Sequence, residues 1–404
     1  MNYYGLSHVV LVFFTRTLSN SFESFLFLAL IYLIHTNLSS VLSTVTNEKA
    51  YIRTRTLLSS SILIGFICAL GLFNRPTFPA FAFVPIIYWL TNILPTLGHS
   101  YRYHLLLIKI ITSIVGTCFL TSSLLILFDS YYYHNGSWSF LLNLKKDLII
   151  CPLNFILYNI DSTNLDKHGL HPRWLHFIVN ATILYGPLHV CVILWALFRR
   201  STDGAILFYY YLIPFVPLSI LPHQEARFLL PLIYPLILFI VPILLKQNFH
   251  RHIFRSWLIF NVVLSLLYGC LHQGGLLSAL RRVHNSPATT KILVTYHTYM
   301  PPGYLVTSMS NFANKTSIQT TIIDLQGAEQ DEFDRTIKNI FNEYSSMNTR
   351  VFVILPGTCR NHLIDLKEQQ YKFDLIEQFG PHLDLDHGLS LWDEAKIYLY
   401  EVKL

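Results

Sequence analysis

Charge is scarce in this chain. Acidic and basic side chains make up 13% of its 404 residues, and hydrophobic ones 52%. Soluble domains carry roughly 25% charged residues, so this balance excludes an ordinary water-soluble fold. Cysteine is sparse too: there are six, with no CxxC pair and no metal-type spacing. Neither a zinc ribbon nor a disulfide framework fits that usage. Cys68, Cys118, Cys191 and Cys270 lie inside apolar runs and read as core residues, which leaves Cys151 and Cys359 in polar surroundings. No glycine-rich phosphate loop follows any strand-like run, which argues against nucleotide binding. The start, "MNYYGLSHVVLVFF", has no basic n-region and no small-residue cleavage site of the kind a cleavable signal peptide needs. Internal repeats are absent. The net charge of +6 is scattered between apolar runs, so no nucleic-acid partner is expected.

What the chain does have is long apolar runs. A spanning helix needs ~20 mostly apolar residues. Candidates lie near 22–36, 56–74, 77–95, 104–128, 174–198, 205–221, 228–246 and 253–271, with 3–14 part of a further one. The expectation is a polytopic α-helical membrane protein of about eight to nine spans, with the lipid bilayer as its first partner. Threading these spans alternately puts Lys49, Arg53 and Arg55, then Arg199 and Arg200, then Lys246, Arg251 and Arg255 on one side. An excess of Lys and Arg in short loops marks the cytosolic face, although Arg281 and Arg282 fall opposite. The other face receives 15–23, 74–77, 129–173, 223–227 and the tail. The sequons at Asn135 and Asn314 share it; those at Asn37 and Asn180 do not, and are expected to be unused.

Residues 1–275 form the expected membrane domain and 276–404 a separate small α/β domain. In the tail, 291–297, 320–325 and 350–356 are β-branched runs, and 330–344 places Phe333, Ile337, Ile340, Phe341 and Tyr344 on one helical face.

Polar residues are few enough that their clustering is informative. His223, Gln224, Glu225 and Arg227 stand at the edge of an apolar run. Alone, Glu225 and Arg227 read as an interfacial ion pair. The same face also collects Arg16, Glu23, Arg75, His168, His171, Arg173 and His176. Ionisable groups at membrane depth are costly and line cavities or pathways, and guanidinium matches phosphate bidentately. An anion site follows as the functional reading. Zinc is the weaker one, because His168, His171 and His176 lack a fourth ligand and are interrupted by Pro172. His189 reads as a buried packing residue. The aromatic run 130–138 reads first as an interfacial belt and second as a sugar-stacking platform.

The stretch "HQEARFLLPLIYPLIL" resembles the H-(K/Q)-E-x-R-F signature of the dolichyl-phosphate-mannose-dependent mannosyltransferases of the endoplasmic reticulum, which are polytopic enzymes of GT-C type. "TRTLSNSFE" and "GLFNRPT" resemble further landmarks of that family. "NLDKHGLHPRWLHFIVNATILYGPL" and "TYMPPGYL" are most similar to the branch adding the fourth, side-branch mannose to a GPI core. The resemblance implies inverting transfer of mannose from dolichyl phosphate mannose to a GPI precursor, and a multi-pass protein of the endoplasmic reticulum. It implies a lumenal active-site face and lumenal C-terminal domain, and no obligatory metal or other cofactor. His223, Gln224, Glu225, Arg227, Arg16, Arg75, His168, His171 and Arg173 become the candidate substrate-binding residues. Arg227, Arg16 and Arg75 would stabilise the departing phosphate. The family's catalytic base lies in an early lumenal H-P-D-E-type loop. This sequence has no such tetrapeptide, so the expectation is that an N-terminal segment carrying it is missing. Glu23, Asp161, Asp166 and Glu225 are the carboxylates that could stand in for that base.

Overall fold

The computed structural model of the chain describes residues 3–16, 18–43, 50–93, 101–160, 171–198, 204–287, 290–306, 319–344, 349–363, 371–383 and 394–403. Two compact units result, Met1–Asn261 and Val262–Leu404.

The first unit is helical. Helices α1 (Ser19–Ser43), α2 (Ala50–Asn74), α3 (Phe78–Ile93) and α4 (Tyr101–Tyr133) come in succession, with α1 packed on α2 and α3, and α2 on α4. Among the described residues, six helices are long and apolar enough to cross a membrane: Ser19–Val41, Thr54–Asn74, His104–Tyr133, His176–Phe198, Ala226–Leu245 and His250–Leu271. The chain is thus a polytopic membrane protein. Only 11% of the apolar window of His104–Tyr133, and of His250–Leu271, is covered by protein; Phe119, Phe128 and Ile259 stand open, as lipid-facing side chains do. The buried core gathers Phe27, Leu30, Trp89, Leu184, Leu229 and Leu236.

Prolines shape the remaining segments. The expected span 77–95 is the 16-residue helix Phe78–Ile93, about 24 Å long against a hydrocarbon core of ~30 Å. The expected span 205–221 breaks into Ala205–Leu212 and Phe215–Ile220 at Pro214, which lacks an N–H and disfavours helix before it. Residues 3–14, expected to belong to a further span, make turns and one short π-helical stretch, Val9–Phe13. Gly186, at φ 38°, kinks the helix Ala181–Phe198; a Cβ there would sit 2.6 Å from the Phe260 ring. Gly65 lies so close to the Ile114 carbonyl that no side chain fits between α2 and α4.

Asn37 staples three helices together. It is buried; its Oδ1 accepts from Trp89 Nε1 at 2.8 Å and its Nδ2 donates to Ser60 Oγ at 2.7 Å. Asn37→Leu leaves the Trp89 N–H buried without its acceptor and costs about 1–3 kcal/mol. The thermal midpoint in detergent falls accordingly, and Trp89→Phe in that background recovers part of the loss. His189 is likewise a packing residue, hydrogen-bonded to the Tyr211 hydroxyl at 2.6 Å and the Phe177 carbonyl at 2.9 Å.

The second unit carries a five-stranded sheet. Strands β1 (Thr290–Thr295), β2 (Gln319–Asp324), β3 (Thr349–Pro356), β4 (Lys372–Phe379) and β5 (Ile397–Lys403) lie in the order β2-β1-β3-β5-β4. β1 pairs in parallel with β2 and β3, while β5 is antiparallel to β3 and β4. Alternation sorts the central strands onto two faces. Ile292, Val294 and Val353 meet Phe333 and Ile337 of the helix Gln330–Tyr344. Leu293, Phe352 and Ile354 meet Leu280 and Val283 of the helix Leu276–His284. Neither β4 nor β5 is among the strands expected from the sequence; in β4, Lys372, Asp374 and Glu377 interrupt the apolar pattern, as on an edge strand. Residues 271–273 are hydrogen-bonded to Leu383 of this unit, through Leu383 N to Leu271 O (2.8 Å) and Gln273 N to Leu383 O (3.2 Å).

Candidate active site

Pro76 ends α2 just after Asn74 and forces a turn before α3. That turn presents Arg75 to the first turns of α1. Its Nε lies 3.4 Å from Glu23 Oε2, and its Nη1 donates to Ser19 Oγ (3.0 Å) and Asn20 Oδ1 (3.1 Å). Thr77 donates to Glu23 Oε1 at 2.8 Å. Glu23 is fully buried and the Arg75 side chain is 13% exposed. The Arg75 guanidinium stands 4.9 Å from the centre of the Phe228 ring, a cation–π distance. Its Nη2 makes no hydrogen bond among the described residues.

The second half of the cluster comes from the segment ahead of the helix Ile233–Leu245. Pro231 cannot donate to a carbonyl four residues back, and Ala226–Leu232 is 3₁₀ instead. Glu225 precedes this tight turn in extended conformation. Its Oε1 receives His223 Nε2 and Arg227 Nη2, each at 2.8 Å, and Arg227 Nε pairs with Oε2. This is the bidentate fork that guanidinium and carboxylate favour. Gln224 turns the other way. Buried, it accepts from His176 N (3.1 Å) and donates to the Ser219 and Leu221 carbonyls. It positions the loop, with its amide used on backbone. Gln224 N in turn donates to His171 Nδ1 at 3.3 Å, and the His171 and His223 rings lie 5.8 Å apart.

Burial presses the Arg75 guanidinium below its ordinary value; Glu23 opposes this, and the Arg227 charge adds to the push. The two arginines therefore sense each other across the site, and Arg75 stays protonated, as guanidinium does in proteins. Burial raises the Glu225 carboxyl, but the His223 and Arg227 hydrogen bonds and the Arg227 charge outweigh it and hold it at about 2. Glu225 is therefore a weak base, and Glu23 is enclosed by Arg75 and Thr77.

His171 gives the site its pH dependence. Burial, then the His223 charge, lowers its pKa, with Glu225 opposing. Its Nδ1 must be unprotonated to accept from Gln224 N. A histidine with a lowered folded pKa contributes stability that is present above the ordinary value of ~6.5 and is lost as pH falls through the folded value. The thermal midpoint in detergent falls as pH is lowered from about 6.5 to about 5. His171→Asn, whose Oδ1 replaces the acceptor, flattens that slope.

Of the other sequence candidates, Arg16 is exposed with its guanidinium 5.9 Å from the Phe13 ring centre. Arg173 is also exposed and donates to the Ile220 carbonyl. His168, Asp161, Asp166 and Asn314 lie outside the described residues. Asn135 is exposed in a turn at φ 54°, whereas the Asn37 and Asn180 side chains are buried. No three His, Cys, Asp or Glu side chains converge as a metal site among the described residues. Sequence reasoning did not single out Ser19, Asn20, Thr77 or Phe228. The signal was their place in the quoted "SNSFE", "NRPT" and "EARF" motifs.

Residues 2–308 match the Alg9-like mannosyltransferase family. The chain belongs to that family. It is similar to GPI alpha-1,2-mannosyltransferase 4 of Homo sapiens, 32% identical over 95% of this chain and 68% of that protein. GPI mannosyltransferase 4 of Saccharomyces cerevisiae is 30% identical over 94% of this chain and 71% of its own length. The Candida albicans protein of that name is 29% identical, with the same coverage. No solved structure matches the chain. As a member of the Alg9-like family this chain is a glycosyltransferase. All of the described cluster, from Ser19 to Phe228, falls within the matched residues.

Proposed function

We propose that this chain transfers mannose from dolichyl phosphate mannose to a trimannosyl GPI precursor, adding the fourth, side-branch residue. The relatives named GPI mannosyltransferase 4 in human and fungi support GPI-anchor mannosyl transfer. The observation that carries the donor assignment is the Arg75 guanidinium over the Phe228 ring, within reach of the Arg227 charge. When the acceptor hydroxyl attacks the anomeric carbon, the bond from that carbon to the phosphate oxygen breaks. Dolichyl phosphate then leaves with an added negative charge. Arg75 Nη2 and the outer nitrogen of Arg227 are the donors placed to meet it. Glu23 and Glu225 hold the two guanidiniums in position, and the acceptor hydroxyl loses its proton to a carboxylate general base. His171 and His223 flank the entry for the acceptor sugar.

The test is expression of the full chain in cells lacking the fourth-mannose enzyme, with GPI precursors analysed by mass. Four-mannose precursors are the expected product; a stably inserted chain that yields none would overturn the assignment. Exchanging residues 164–188 for those of a third-mannose enzyme is expected to change the acceptor.

The protein resides in the endoplasmic reticulum membrane in this reading, with the cluster and the C-terminal unit facing the lumen and eight or nine apolar segments in the bilayer, about as many as hydropathy allows. Asn135 and Asn314 are then the glycan acceptors. Endoglycosidase should increase the gel mobility of the wild type, and Asn135→Gln should remove part of that shift. A chain insensitive to the enzyme would place these loops on the other face.

A further inference from the structure

Between β1 and the 307–318 segment, "HTYMPPGYLV" crosses the surface of the C-terminal unit. Tyr299 is 51% exposed, Met300 73% and Tyr304 75%. Three large side chains this open within six residues are unusual on a surface that faces only water.

They are also rigidly held. Pro301 and Pro302 restrict the backbone, and Leu305 N donates to Pro302 O and Val306 N to Gly303 O, both at 3.0 Å. Val306 is buried with Leu276, Leu280 and Val283 of the helix Leu276–His284. Flexibility therefore does not account for the exposure.

The position of the loop is what decides its partner. The membrane-capable helix His250–Leu271 ends one residue before His272. His272 Nε2 is hydrogen-bonded to the Tyr299 hydroxyl at 2.7 Å, and the two rings meet edge to face at 5.0 Å. His272 Nδ1 lies 3.1 Å from the Leu383 carbonyl, which fixes the imidazole from its other side. Tyr299 is thus tied to the point where the chain leaves the bilayer. Val262, Val263 and Leu266, in the second half of that helix, are themselves exposed, as a lipid-facing surface leading towards this end would be. Tyrosine at the headgroup layer keeps its ring among apolar groups and its hydroxyl in a polar one, and the loop offers that arrangement.

We propose that Tyr299, Met300 and Tyr304 form an interfacial anchor that inserts into the headgroup region and seats the C-terminal unit on the bilayer surface. The ligand is the lipid surface itself, recognised by apolar contact and not by a particular headgroup. The inference does not depend on mannosyl transfer, and an inactive chain would bind lipid equally well.

A photoreactive diazirine amino acid placed at Met300 or Tyr304 of the full chain tests this, with the protein reconstituted in vesicles of radiolabelled phosphatidylcholine. Glu343 is the reference position. It is exposed at the C-terminal end of the helix Gln330–Tyr344, ahead of the start of β3, whereas the loop follows the end of β1. The expected result is radiolabelled lipid crosslinked from 300 and 304 at least tenfold more than from 343. Crosslinks from 300 and 304 that go to peptide instead of lipid would overturn the proposal, as would equal lipid labelling at all three positions.

Discussion

Arg75→Ala abolishes measurable transfer and destabilises the first unit by about 3–5 kcal/mol, the cost of leaving a buried charge without its partner. Glu23 is fully enclosed, and in the variant Thr77 still donates to it. Adding Glu23→Gln should recover much of the stability, since an amide keeps the hydrogen bond from Thr77 without a charge to compensate. Activity should not return, because the guanidinium over Phe228 is still missing. Losing one preorganised donor to a leaving oxyanion typically costs 10²–10³ in rate. Arg75→Lys should keep the charge but lose the geometry: a single ammonium cannot serve Glu23, Ser19 and Asn20 together while presenting a further donor. Thermal melts in detergent combined with transfer assays on microsomes separate the two effects. A Glu23→Gln, Arg75→Ala double variant with near-normal transfer would show that Arg75 only holds α1 against the α2–α3 turn.

Glu225→Gln lowers kcat/KM by about 10²-fold with a smaller loss of stability, because Arg227 is 44% exposed and water replaces part of what it loses. The carboxylate orients Arg227 through the bidentate pair and holds His223 through the 2.8 Å contact. Arg227→Ala should cost a similar factor, and the double variant little more than either single one, since the two side chains act as a unit. The pH profile offers a second readout. The folded pKa of Glu225, about 2, lies below the ordinary value near 4.5, so its contribution is complete above that value and is lost only as pH falls towards 2. Between pH 5 and 8, roughly, Glu225 adds no slope to activity. If Glu225→Gln instead shifts or removes a limb near neutrality, the carboxylate is itself titrating during catalysis.

Much of this was legible in the order of residues, because hydropathy acts locally. The long apolar runs identify the membrane-capable helices, and in the tail the β-branched runs and the Phe333–Ile337–Ile340 stripe identify the parallel layer of the C-terminal unit. Lengths were less legible. Pro214 and Pro231 act on backbone hydrogen bonds and leave composition untouched, so a hydropathy window passes over the break they make. Edge strand β4 escaped because its charged residues face water, and its pairing with β5 links separated parts of the chain.

The site divides along the same line. Sequence by itself determined which scarce polar side chains the chain carries, and the motifs in which they stand. Only the tertiary structure decided their partners. Glu23 and Arg75 are far apart in the chain and meet because α1 packs on α2 and α3. Gln224 turns into the protein while its neighbours His223 and Glu225 face the cluster. A buried charge is tolerated only where a distant segment brings a counter-charge to it, and that pairing is a property of packing.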